Sequence, residues 1–121
     1  MFRSPIAIVV STLLFASPAP ALAHAFPTTT NPAVGSTLKT APTEVVINFT
    51  EELEPRFSSI EVLNAAGSRV DKNNAHLAPN DAKRFIVDLS QLPPGTYKVV
   101  WHATSIDTHK TQGSFTFTVA P

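Results

Sequence analysis

Tyr97-Lys98-Val99-Val100-Trp101-His102 sets large apolar side chains at 97, 99 and 101 against Lys98, Val100 and His102. Alternation with a period of two marks a strand with one buried face. The pattern recurs on both sides of this segment. Phe85, Val87 and Leu89 alternate with Ile86 and Asp88, and Phe115, Phe117 and Val119 alternate with Ser114, Thr116 and Thr118. Further upstream, Val45, Ile47 and Phe49 alternate with Val46, Asn48 and Thr50. Ser58 to Leu63 reads as a fifth strand, ended by the turn residues Asn64 to Gly67. Pro32, Gly35, Pro42, Pro55, Pro79, Pro93, Pro94 and Gly95 punctuate the rest. No stretch offers a long helical period with caps. Short, closely spaced strands predict an all-β domain, a two-sheet sandwich or a barrel. Trp101, Tyr97, Phe49, Phe85, Phe115 and Phe117 fall on the inward phase and are expected in the core. The polar stretch from Asn64 to Lys83 is expected to be the least ordered part.

The chain has 121 residues, enough for one domain. At its start, Arg3 precedes an apolar run from Ile6 to Phe15, and small residues and prolines lead to Ala21-Leu22-Ala23. That order is a secretory signal with an A-x-A cleavage site, so residues 1–23 are expected to be removed and 24–121 to form the mature domain. The alternative is an uncleaved anchor. Pro18 and Pro20 interrupt the run, and a spanning helix wants about 20 apolar residues. No second domain and no membrane anchor are expected after the last strand.

Charge and cysteine content narrow the function. The chain carries nine Lys+Arg and nine Asp+Glu. Loss of Arg3 leaves eight against nine, with no basic run of the kind that nucleic-acid binding requires. There is no cysteine, which excludes disulfides, thiolate metal sites and cysteine nucleophiles.

The remaining chemistry rests with histidine. His24, His76, His102 and His109 survive cleavage, and His24 becomes the first residue. A free N-terminal amine and the Nδ1 of the same residue can close a chelate ring, a geometry suited to tetragonal Cu(II) or Ni(II) rather than tetrahedral zinc. The plain alternative is a solvated histidine exposed by accident of cleavage. Asp107 and His109 are two residues apart, so an extended segment would present carboxylate and imidazole on one side, with Ile106 and Thr108 on the other. Both are acceptable Cu(II) donors. An ordinary polar loop before Gly113 would look the same.

Several motifs in order give the sequence a family likeness. They are His24 after the signal, Asn31-Pro32-Ala33-Val34-Gly35, Ala41-Pro42, Val46-Ile47-Asn48-Phe49-Thr50-Glu51, and Leu92-Pro93-Pro94-Gly95-Thr96-Tyr97-Lys98-Val99. The most specific are Trp101, Ser105, Asp107-Thr108-His109 and Gly113-Ser114-Phe115-Thr116-Phe117. Over the whole mature chain the sequence resembles the bacterial copper-resistance protein C (CopC) family of periplasmic copper-binding proteins. The resemblance implies a Greek-key, immunoglobulin-like β-sandwich or barrel of about seven strands. It also implies one Cu(II) ion per chain, held by the amine and imidazole of His24, by Asp107 and by His109. Glu51 matches an acidic position sometimes found near that copper, and a solvated charge at a strand end is its simpler role.

One departure bears on the metal. Some members bind Cu(I) through a methionine-rich loop, yet the only methionine here is Met1, which leaves with the signal. A soft Cu(I) site needs Cys or Met, so a Cu(II)-only member is expected. His76 reads as a solvated loop histidine, and His102 should face outward next to Trp101.

The function that follows is a monomeric periplasmic copper carrier or buffer, not an enzyme, handing Cu(II) to a partner such as a membrane copper transporter. Two rivals belong to other classes. A histidine-brace copper monooxygenase would also use an N-terminal histidine, but it needs an open coordination position that Asp107 would occupy or shield. A metal-free sandwich used for adhesion or assembly would share the fold, since sandwiches host many functions.

Overall fold

The computed structural model describes residues 24–121, and the expected signal segment over residues 1–23 lies outside them. Eight strands form: β1 (Pro27–Asn31), β2 (Thr37–Leu38), β3 (Glu44–Phe49), β4 (Ser59–Leu63), β5 (His76–Ala78), β6 (Asp81–Asp88), β7 (Gly95–Thr104) and β8 (Lys110–Val119). A single 3-10 turn at Pro55–Phe57 sits between β3 and β4. The strands make two four-stranded sheets, ordered β1-β3-β6-β5 and β2-β8-β7-β4. All pairings are antiparallel except β2 with β8. Only the β5–β6 and β7–β8 connections stay within one sheet, so the chain crosses repeatedly between layers, as the all-β sandwich expectation requires. The two-residue β2 brings the strand number to eight rather than about seven. Among the described residues no helix is long and apolar enough to cross a membrane.

The core lies between the sheets and is built by the inward phase of each strand. Val45, Ile47, Phe49, Phe85 and Val87 come from one sheet, and Ile60, Val62, Tyr97, Val99, Trp101, Phe115, Phe117 and Val119 from the other. Fully burying such a side chain is worth about 1.5–3 kcal/mol, so this shared face dominates the stability of the fold. Val46 departs from simple alternation. It is on the outward phase of β3 yet buried, between Asn31 of β1 and Ile86 of β6, because β3 is an inner strand covered on both sides by neighbours.

The stretch from Asn64 to Lys83 is more ordered than its composition predicts. The side chain of Asp71 is fully buried and organises it. Its carboxylate accepts from the backbone N–H of Val62 at 2.8 Å, from that of Asn73 at 3.0 Å and from Arg69 Nε at 2.9 Å. Bridges from Leu63 to Arg69 and from Asp71 to Leu89 tie the segment to both sheets. A carboxylate saturated by backbone donors can fix a polar loop that buries little apolar surface. His76 accordingly stands on the edge strand β5 rather than in a loop, although it is exposed as expected.

β7 and β8 pair over their full length, from Gly95 opposite Val119 to Thr104 opposite Lys110. Trp101 lies opposite Gly113, and its ring covers that glycine. A Cβ at Gly113 would fall 2.6 Å from Trp101 Cζ2, far inside contact distance. Trp101 also packs edge-to-face on Phe49 of the other sheet, with centroids 5.4 Å apart. Gly113 is thus the space that seats the inter-sheet aromatic pair. Gly113→Ala should destabilise the domain by about 1–3 kcal/mol, the range for overpacking a filled core. Denaturant unfolding should show this loss. The near-ultraviolet dichroism of Trp101, the only tryptophan, should change as well. Unchanged stability would mean that the ring does not lie on the glycine.

Candidate metal centre

One end of the sandwich gathers the segment from His24 to Phe26, the loop after β3 and the loop joining β7 to β8. That last loop, Ser105 to His109, is a turn. Thr108 adopts φ 74°, its N–H donates to Ser105 O at 2.8 Å, and the Ser105 N–H donates to His109 O at 3.0 Å. Asp107 and His109 are therefore brought together by a closed turn and not by the extended spacing that the sequence implied. Ile106 is exposed, and its N–H donates to Glu52 O at 3.2 Å, which pins the loop to the segment after β3.

Within the turn, Asp107 Oδ2 lies 3.1 Å from His109 Nδ1. The Ser105 hydroxyl donates to Asp107 Oδ1. Ser105 is 1% exposed, whereas the Asp107 and His109 side chains are about half exposed. The hydrogen bond from Ser105 is the main reason that the Asp107 carboxyl is held below the usual carboxylate value. Desolvation opposes this, and hydrogen bonding and charge from His109 add to it.

The first described residues are held by the sheets. Ala25 is fully buried in the core, and its carbonyl accepts from Thr111 Oγ1 at 2.6 Å. Thr50 clamps both neighbours. Its hydroxyl donates to His24 O at 3.1 Å and accepts from the Phe26 N–H at 3.0 Å, while its own N–H donates to Phe26 O at 2.8 Å. The His24 ring is thereby held 4.9 Å, centroid to centroid, from the ring of His109. Ala25, Thr50, Ser105 and Thr111 are site-building residues that motif reading did not single out for a role. Only Ser105, two residues before an aspartate in a turn, carried a local signal.

These distances suit one metal ion. Two metal–donor bonds of about 2.0 Å at a right angle place their donor atoms about 2.8 Å apart, close to the Asp107–His109 separation. Two imidazoles on adjacent corners of such a square have centroids about 4.4 Å apart, close to the His24–His109 spacing. Among the described residues, no group of three or more His, Asp or Glu side chains alone forms a cage for a metal ion. In the unprocessed chain the His24 nitrogen belongs to a peptide bond, and a free amine would be the further donor.

The other expected residues fall elsewhere. His102 is exposed on the outer face of β7, opposite Ser59 and Gln112. His76 is on β5, with Nδ1 2.7 Å from Asn74 O. Glu51 is half-buried in the loop after β3. A groove of about 300 Å³, lined by Asn64, Val70, Pro93 and Tyr97, lies at the opposite end of the sandwich. It holds no metal-binding side chain among these, and a surface ion site needs no such groove.

The fold and this cluster define a β-sandwich that brings two imidazoles and a carboxylate together at one end. The chain belongs to the CopC family: the CopC domain model matches residues 27–120, which include Asp107 and His109 and begin just after His24. It is 36% identical over 118 residues to protein YobA of Escherichia coli K12, covering 97% of this chain and 93% of that one. It is 33% identical over 113 residues to the copper transport protein CutJ of Bacillus subtilis, covering 93% of this chain and 21% of CutJ. The solved structure of PcoC, a methionine-rich copper resistance protein from E. coli, matches with a TM-score of 0.67 at 35% identity, covering 80% of this chain and 99% of that one. Family membership gives this protein a copper-related function.

The Asp107 network sets a pH dependence for the metal-free protein. A carboxyl whose folded value is depressed contributes to stability above the unfolded value of about 3.9, and that contribution is lost as pH falls through the lower folded value. Carbon-detected NMR of metal-free protein should therefore give Asp107 a titration midpoint below that reference. A midpoint above it would contradict the hydrogen bond from Ser105.

Proposed function

We propose that this protein is a periplasmic Cu(II) carrier or buffer and not an enzyme. One Cu(II) ion is held by the amine and imidazole of processed His24, by Asp107 and by His109. The observation that carries this reading is the approach of the His24 ring to His109, beside Asp107, from distant positions along the chain. The copper-related family and the copper transport name of CutJ support it. The donors are nitrogen and carboxylate oxygen, with no sulfur, which favours Cu(II) over Cu(I) and copper over nickel and zinc. The methionine-rich relative PcoC offers a contrast, since here the only methionine is Met1. The half-exposed position of Asp107 and His109 suits an ion that must be collected and released. A membrane copper transporter is the partner this role calls for.

Processing after Ala23 would create the site, because the peptide nitrogen of His24 is a poor donor until it becomes an amine. Three proteins test this: one starting at His24, one with a single alanine before it, and one starting at Ala25. All keep the buried Ala25, so circular dichroism should show one fold. The first should bind one Cu(II) tightly, and the second far more weakly with an altered electron paramagnetic resonance spectrum. Equal affinity and identical spectra for the first two would remove the amine from the ligand set.

Side-chain substitutions in the protein starting at His24 check the other donors. His109→Ala should weaken Cu(II) binding by orders of magnitude and Asp107→Ala by less, since water can replace a carboxylate oxygen. His76→Ala and His102→Ala should leave affinity unchanged. If His102→Ala costs as much as His109→Ala, the ligand assignment is wrong. Protons compete for amine and imidazole, so affinity should fall steeply from about pH 7 to about pH 4. A flat profile would argue against nitrogen ligation.

A further inference from the structure

Ser105 is the most buried polar residue at the metal-binding end, and the copper-carrier reading assigns it no task. It sits where β7 ends, bridged to Leu53 across the sandwich, so its position is fixed by the core rather than by the loop. Its hydroxyl donates to Asp107 Oδ1 and lies 3.3 Å from His109 O. The His109 N–H also points at Oδ1, at 3.4 Å. The two oxygens of Asp107 are thus unlike. Oδ1 faces inward onto Ser105 and the turn backbone. Oδ2 faces the His109 ring at 3.1 Å, the side on which an ion shared with that ring would sit.

We infer that Ser105 is a positioning residue that makes Asp107 a one-oxygen ligand, by engaging Oδ1 and leaving Oδ2 alone for Cu(II). This rests on the proposed copper site and adds a determinant of its geometry. A carboxylate free to rotate can chelate an ion through both oxygens or swing away into water. One whose inner oxygen is tied to a buried hydroxyl is held against both. Partners that orient a ligand in this way typically contribute about 10–100-fold to metal affinity. Asp107 would then offer an ion one oxygen from a turn that Ser105 already holds in place.

The test uses the processed protein starting at His24, with Cu(II) as the probe. Ser105→Ala should lower Cu(II) affinity by roughly tenfold or more and shift the copper hyperfine coupling in electron paramagnetic resonance. Ser105→Thr, which keeps the hydroxyl, should recover the native spectrum. The effect must run through Asp107, so Ser105→Ala should cost nothing further when added to Asp107→Ala. An equal loss in both backgrounds would show a merely structural role and overturn the inference. So would a Ser105→Ala protein with native affinity and spectrum.

Should Ser105→Ala fail to fold, the copper-loaded wild-type protein decides by crystallography. One Asp107 oxygen on copper, with the other on Ser105 Oγ, supports the inference. Two Asp107 oxygens on copper, or a broken Ser105–Asp107 bond, overturns it. Asp107 bonded only to His109 Nδ1, with copper on Nε2, overturns it too. Failure of wild-type protein to bind Cu(II) would instead overturn the copper-carrier reading itself.

Discussion

The unbroken pairing of β7 with β8 is the interaction on which the rest of the structure depends. Ten consecutive register pairs, from Gly95–Val119 to Thr104–Lys110, leave a five-residue turn whose position is dictated by the ladder beneath it. The ladder holds because one face of each strand is buried against the other sheet and because Gly113 leaves room for the Trp101 ring. A register slip of one residue would turn every buried side chain of the hairpin outward. The turn that carries Asp107 and His109 is thus positioned by core packing, although its own side chains face water.

The same hairpin also fixes the other half of the cluster. Thr111, the second residue of β8, donates to the carbonyl of Ala25, and Ala25 is buried in the core. Thr50, directly after β3, bonds the backbone on both sides of Ala25. Ordering a backbone costs about 1–2 kcal/mol per residue. Four hydrogen bonds and one buried methyl offset that cost here. The result is a His24 imidazole delivered to a defined place while the residue stays partly exposed.

Polar groups with fixed partners serve two regions in different ways. The Asp71 side chain is wholly buried, saturated by backbone N–H groups and Arg69, and orders a loop away from the turn that carries Asp107 and His109. Asp107 is half exposed, and only one of its oxygens is committed to a buried partner. Burial makes the first carboxylate a structural anchor. Exposure leaves the other oxygen of the second carboxylate facing the His109 ring at the surface.

Strand identity was legible in the sequence because period-two alternation is a local consequence of the pleat, and Tyr97, Val99, Trp101, Phe115 and Phe117 lie where it placed them. The outward face of His102 follows from the same rule. The Asp107–His109 pair was found by spacing, but the backbone that joins them is a turn with Thr108 at positive φ, which side-chain spacing does not encode. The order of the Asn64 to Lys83 stretch was hidden because it rests on one aspartate finding donors from Val62 and Asn73, contacts made only when the chain has folded. Burial of Val46 was hidden likewise, because alternation cannot tell an inner strand from an edge. Residue types and their order therefore determined an all-β chain with nitrogen and oxygen donors. Only the tertiary structure could bring His24 to His109, because their separation is set by the stacking of two sheets and by the hydrogen bonds of Thr50 and Thr111, none of which has a signature along the chain.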